Sequence, residues 1–472
     1  MIKIEESNIL KLQEAMQKKE ITSKELVLYY FSRIAEIDKC ENGLNSVLEL
    51  NPDALFIADS LDEMRANGTV LGPLHGIPVM LKDNISTHDK MHTSAGSVAL
   101  QNNYAPYDAH IVKCLREAGA LILGKANMTE FAAFMSNDMP AGYSSKGGQT
   151  LHPYDKKSKP WGSSTGSGVA VSANLCAAAV GTDTWGSTIG PSQNNGIVGI
   201  RPTLGLLSQY GIIPISHTLD TAGPMARTVT DSAILLGAMA GQTDYTQYLD
   251  KNGLEGARIG ITRASENLSQ EYYDVLENTI TVMRQHGAEC FHIPEPSPEL
   301  KDALSTVGDT IISIMKHEFK NGINHYLASI GNENTIKTLQ DIILFNQNHS
   351  KEALKFGQNI LINAQNDTSG NLTEPEYINA ILSRENMIRL FDKIFIDNEI
   401  DVIYAIEIGV ESGIPPLTGF PSMTIPIGTG SDNIPLGSYW IARRYDEKSL
   451  IRVTYAMEQI LNARRNPFEP IK

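Results

Sequence analysis

The chain has 472 residues, 42% of them hydrophobic, and a formal net charge of −15 at pH 7. That is apolar material enough for two or three average domains or for one continuous α/β fold. The acidic balance argues against a nucleic-acid partner, because a phosphate-binding face needs a concentrated excess of Lys and Arg. Cys40, Cys114, Cys176 and Cys290 are scattered without a CxxC pair. Reduced thiols are therefore expected, with neither a disulfide framework nor a zinc site. The N-terminal run MIKIEESNILKLQ lacks the basic start and apolar centre of a signal peptide. With no run of ~18 apolar residues, no membrane span is expected, and the expected location is cytoplasmic.

Residues 1–70 read as helical, with Ile9, Leu12 and Met16, then Val27, Tyr30 and Ile34, at helical spacing. Thr22 or Ser23 is the expected cap of the second of these helices. Pro78 to Ile85 is an apolar strand with a lysine inside it, Lys82, which is unusual because an uncompensated buried charge is costly. A helix and the strand Ala120–Leu123 fill 107–123, and Gly124–Phe131 reads as a loop turning into a helix. Residues 136–160 form a polar loop of the kind that lines pockets.

The stretch from Lys159 to Pro191 has a Gly/Ser cluster at each end and an Ala/Val-rich middle. The middle, Val169 to Val180, reads as a helix of small residues buried against a sheet. Beyond it, strands are expected at Ile197–Ile200, Ala257–Ile261, Cys290–Ile293 and Asp401–Ala405. Helices are expected over 229–240 (Thr230 or Asp231 near the start), 270–286, 300–330, 334–363, 374–396 and 447–463, with a polar loop at 365–373. The alternation suggests an α/β fold with a mixed sheet.

These motifs together resemble the amidase signature family. The matching residues are Gly76-Ile-Pro-Val-Met-Leu-Lys82-Asp-Asn84, Gly162-Ser163-Ser164, and Gly181-Thr-Asp183-Thr184-Trp185-Gly186-Ser187. The likeness continues through Gly196–Thr203 and Asp220–Asp231, and returns weakly at Gly419–Pro426. It implies a large central mixed β-sheet sandwiched by helices, in one catalytic domain over residues 1–472. Within it, 1–70 would be an N-terminal helical segment, 71–240 the signature core, 241–400 a variable helical region and 401–472 a return to the core. The loop 136–143, the form of the Ser cluster and residues 340–357 look most like the peptide-amidase subgroup.

The resemblance also implies the chemistry. Lys82 is the base, Ser163 the relay and Ser187 the nucleophile, with a cis bond between Gly162 and Ser163. The backbone N–H groups of Thr184, Trp185, Gly186 and Ser187 form the oxyanion hole. Ser164 supplies a supporting hydrogen bond, and Asp183 and Asp83 act as structural carboxylates. A lysine can serve as base only when neutral, so its pKa must fall well below ~10.4, as burial in a strand would cause. Asp220 and Arg227 are expected as a fold-holding pair or cap. No metal and no cofactor are expected, since His75, His88, His92, His152 and His217 show no ligand spacing.

The expected activity is hydrolysis of a linear carboxylic or peptide-like amide through an acyl-serine intermediate. The partner is then a small-molecule or peptide amide, with a homodimer compatible. Two competing readings are the hydrolase subunit of a glutamine-dependent amidotransferase, and a non-catalytic amidase-like binding protein. The last reading rests on Trp185, which stands where the family holds a small or polar residue and would block the pocket. Trp161 and Thr165 also replace glycines common in the family. Gly162–Gly166 fits G-x-S-x-G, but no strand precedes it, and Ser313-Ile-Met-Lys316 fits S-x-x-K within an expected amphipathic helix.

Overall fold

The structure, a computed structural model, describes residues 3–262, 269–331, 335–405 and 413–469. Among them, one eleven-stranded sheet collects strands from both ends of the sequence. In spatial order these are Val47–Leu50, Leu121–Ala126, Pro78–Lys82, Ala178–Asp183, Thr221–Ala226, Val198–Arg201, Ser422–Thr424, Tyr439–Ala442, Val402–Ala405, Arg258–Ile261 and Glu289–His292. Pro78–Lys82 runs parallel to both its neighbours, while Thr221–Ala226 is antiparallel to both of its own. The sheet is therefore mixed, as expected.

Alternation along the strands gives the sheet two buried faces. Val402 and Tyr404 enter one hydrophobic core, with Trp440; Ile403 and Ala405 enter the other, with Tyr439 and Ile441. The first core holds the N-terminal helices, the second the helices between residues 298 and 398. Helices thus cover both faces.

Several local expectations need correction. The run Val169–Val180 is not one helix: a helix spans Thr165–Ser172, and Ala178–Asp183 is a strand. Asn174 takes φ +56 between them, and a short Ala/Val run has no period that separates a buried helix from a buried strand. The helix can lie so close because Gly166 has no side chain; a Cβ there would sit 2.3 Å from the Asn127 carbonyl oxygen. The strand expected at Ala120–Leu123 is Leu121–Ala126, so it continues into Gly124–Ala126, where a loop was expected. Val47–Leu50, Thr221–Ala226, Ser422–Thr424 and Tyr439–Ala442 are strands the sequence reading missed.

Thr22 caps its helix in a reciprocal box with Glu25. Thr228, not Thr230 or Asp231, caps Val229–Met239. The 300–330 helix breaks into Pro298–Ser305 and Val307–Ser329. The expected 334–363 helix, whose first residue lies outside the described residues, divides into Leu339–Asn348, Ser350–Ala353 and Asn359–Asn366. Among the described residues no helix is long and apolar enough to cross a membrane.

Candidate active site

Lys82 and Asp183 are the last residues of two neighbouring parallel strands. The carboxyl ends of strands in α/β sheets are where ligand crevices form, because helices leave them uncovered. Lys82 is fully buried. Its Nζ lies 2.8 Å from Ser163 Oγ, 2.9 Å from Thr182 Oγ1 and 3.2 Å from the Thr182 carbonyl oxygen. Burial pulls its pKa down to about 7, and the carboxylates of Asp183 and Asp220 hold it from falling further. A neutral amine in this place can donate two hydrogens to the Thr182 oxygens and present its lone pair to the Ser163 hydroxyl.

Ser163 follows a cis peptide bond from Gly162. Its carbonyl accepts from Thr129 N–H at 3.0 Å. Ser164 connects the other parts: its N–H donates to the Ser187 carbonyl at 3.2 Å, and its Oγ receives Thr182 N–H at 3.2 Å. The segments carrying Lys82's partners, Ser163 and Ser187 are thereby tied together through the main chain and hydroxyl of Ser164. Ser163 and Ser187 line one cavity of about 540 Å³. Among the described residues no hydrogen bond joins the two hydroxyls; Ser163 Oγ is bonded to Lys82.

Asp183 organises the turn that ends at Ser187. One of its oxygens accepts from Gly186 N–H at 2.9 Å and from Arg201 Nη1 at 2.8 Å; the other accepts from Thr188 N–H at 2.6 Å. Arg201 also reaches the carbonyls of Asp183 and Leu219, each at 2.7 Å. This corrects one expectation. Gly186 takes φ +79, and the tight turn folds its N–H onto the Asp183 carboxylate, away from the role of oxyanion donor. The N–H groups of Thr184, Trp185 and Ser187 donate to no other described residue.

Trp185 is a wall of the cavity and is 39% exposed. Gly413 packs beside its ring, and a Cβ there would collide first with Val307, 2.7 Å from its Cγ1. The rest of the wall is largely apolar, with Phe134, Met139, Ile215, Ile312, Met315 and Ile360. Lys316 is the one charged side chain among the described lining residues, and it pairs with Asp367 at 3.0 Å. Two roomier cavities, of about 1300 and 790 Å³, contain none of Lys82, Ser163 or Ser187. The chemistry, not the volume, locates the site.

Other singled-out residues fall elsewhere. Asp220 and Arg227 do not pair: Asp220 accepts from Thr184 Oγ1, whereas Arg227 donates to the carbonyls of Val171, Cys176 and Ser7. Asp83 is not among the residues lining the cavity and receives Ser94 Oγ and Gly96 N–H. Ser313 donates to the Glu376 carbonyl. Among the described residues no cluster of His, Cys, Asp and Glu could hold a metal. Sequence reasoning missed Thr182, Asn84, Thr129 and Arg201. An Arg closing the apolar run Ile197–Ile200, directly before Pro202, was the available signal for the last; Thr182 and Asn84 stood inside quoted motifs with no role given.

The profile of the family described as Amidase matches residues 25–405. The crystal structure of native peptide amidase from Stenotrophomonas maltophilia superposes with a TM-score of 0.92 at 37% identity, covering 98% of this chain and 99% of that one. A probable amidase of Arabidopsis thaliana is 35% identical over 98% of this chain and 92% of its own length. A glutamyl-tRNA(Gln) amidotransferase subunit of Alkaliphilus metalliredigens is 31% identical over 98% of this chain and 97% of its own.

Proposed function

The chain belongs to the amidase family and hydrolyses an amide C–N bond; from that premise we propose that Ser187 is its nucleophile, Ser163 its proton relay and Lys82 its base. The observation that carries this reading is the buried Lys82 Nζ, 2.8 Å from Ser163 Oγ. Ser187 Oγ attacks the amide carbon and gives its proton to Ser163, which passes its own to Lys82. The negative oxygen of the tetrahedral adduct is received by N–H groups of Thr184, Trp185 and Ser187. The protonated Lys82 then returns its proton through Ser163 to the departing nitrogen as the C–N bond breaks. Water adds to the acyl–Ser187 ester by the same path reversed.

The substrate class we propose is a linear amide, and specifically the terminal carboxamide of a peptide-like acyl chain. The largely apolar cavity and the 37% identity to a peptide amidase support this. Trp185 narrows the acyl pocket from one side and does not plug it, which disfavours the non-catalytic reading. The test is a panel of simple and peptide C-terminal amides against wild type and Ser187→Ala. Full activity in Ser187→Ala would remove the nucleophile assignment.

One observation favours a second reading, the hydrolase component of an amidotransferase: the 31% identity to such a subunit runs over nearly the whole chain. Glutaminase activity that appears only with added partner subunits would establish it, and peptide-amide hydrolysis by the isolated chain would exclude it.

A further inference from the structure

Asp220 has no part in the scheme above, yet it is bonded to two residues of the cavity wall, Thr184 and Ile215. Its carboxylate accepts from Thr184 Oγ1 at 2.6 Å, from Ile215 N–H at 2.8 Å and from Ser216 N–H at 3.0 Å. Thr184 begins the turn of oxyanion donors, and Thr184 and Ile215 both line the 540 Å³ cavity. A hydroxyl held by a carboxylate fixes the backbone on which it stands, because such charge-assisted bonds are short and strong. Thr184 N–H is thus placed by its own side chain.

Charge gives the second half. The carboxylates that act on Lys82 are Asp183 and Asp220. Asp183 is compensated by Arg201 at 2.8 Å, with both side chains buried. Asp220 has no ion-pair partner among the described residues. It shares a small cavity with Asn84, Thr182 and Thr184, where Thr182 Oγ1 lies 2.9 Å from Lys82 Nζ, and Ser216 bridges it to Glu318 of the Val307–Ser329 helix. Glu318 itself receives Ser216 Oγ, Thr218 and Tyr377 OH from the helix Pro375–Asn398, with His217 Nε2 at 3.3 Å. Desolvation pushes the Asp220 carboxyl up to about 6, and the hydrogen bonds from Thr184, Ile215 and Ser216 favour its ionised form.

We propose that Asp220 is a positioning residue with two effects: it holds Thr184 in the oxyanion turn, and its charge sets the pH at which Lys82 becomes a base. The proposal rests on the Lys82–Ser163–Ser187 reading. It also joins the helices of the 241–400 region to the site, since Ser216 and Thr218 connect the Asp220 loop to Glu318.

The experiment is a kcat/KM–pH profile for Asp220→Asn, Thr184→Val and Thr184→Ser, each checked for fold by circular dichroism. Asp220→Asn puts an amide donor against a site of three donors and removes the charge. It is expected to lower kcat roughly 10- to 100-fold and to move the acid limb down by roughly half a pH unit to one unit. Thr184→Val is expected to lose kcat similarly with the limb in place and KM within about 3-fold, and Thr184→Ser to restore kcat. A folded Asp220→Asn with an unmoved limb overturns the charge effect, and equal kcat in Thr184→Val and Thr184→Ser overturns the positioning effect. Should Asp220→Asn fail to fold, the Val and Ser variants at 184 still decide the latter, and Asp220→Glu, which keeps the charge and must keep the limb, decides the former. Ser187→Ala run beside them separates the cases: activity retained there breaks the underlying reading, whatever Asp220 does.

Discussion

Arg201 Nη1 and Asp183 Oδ1 meet at 2.8 Å with side chains 1% and 0% exposed, and this ion pair braces the turn that carries Ser187. Removing one partner leaves the other charge buried and unpaired, which costs about 3–5 kcal/mol. Arg201→Met is therefore expected to lower the stability to denaturant by that amount and to lose most amide hydrolysis. Asp183→Asn is expected to reduce activity as strongly, because Gly186 and Thr188 lose their shared carboxylate. Equilibrium urea unfolding, with activity assayed on the folded fraction, checks both.

Lys82 destabilises the fold it serves. Its folded pKa of about 7 lies below the ordinary lysine value, so between about 7 and 10.5 the unfolded chain binds the extra proton. Stability contributed at this site therefore rises with pH across that window, and the penalty of the buried amine is greatest below it. Lys82→Met is expected to abolish activity while raising stability by roughly 1–3 kcal/mol at pH 6, with a smaller gain at pH 9. Urea midpoints for the two proteins at the two pH values test this; an equal gain at both would contradict it.

Lys316 gives the cavity its only formal charge among the described lining residues. Partly exposed and paired with Asp367, it exerts a modest field. Lys316→Met is expected to lower kcat/KM for an acyl chain bearing a carboxylate roughly 3- to 10-fold relative to a neutral one. Asp367→Asn is expected to shift the same ratio the other way. Both effects should shrink at high salt, because the site is open to screening. Competition between neutral and acidic peptide amides measures the ratio directly.

The fold class and the candidate residues were legible in the sequence; the bounds of several elements were not. Lys82 stood out because an ionisable residue inside an apolar strand violates burial rules, and Ser163 and Ser187 because Gly and Ser cluster where backbone must approach closely. The structure places Ser163 against Lys82 and gives Ser163 and Ser187 a common cavity wall. What failed has physical causes. Ala178–Val180 was read as helix because Ala and Val runs carry no period and their strand pairing with Leu81 and Pro224 is set by residues far away. The resemblance implies Gly186 as an oxyanion donor, and no local pattern tells that Asp183 takes its N–H. Asp220 and Arg227, expected as a fold-holding pair or cap, do not pair because the strand Thr221–Ala226 between them carries them to opposite ends.

The central claim is that a neutral Lys82 draws the proton of Ser187 through Ser163. Its most direct measurement is the rate at which a fluorophosphonate modifies Ser187, located by peptide mass spectrometry, as a function of pH. The rate is predicted to rise through about pH 7 and then level, following the Lys82 pKa, and to fall at least about 100-fold in Lys82→Met and Ser163→Ala. Labelling at another serine, or an unchanged rate at Ser187 in Lys82→Met, would contradict it.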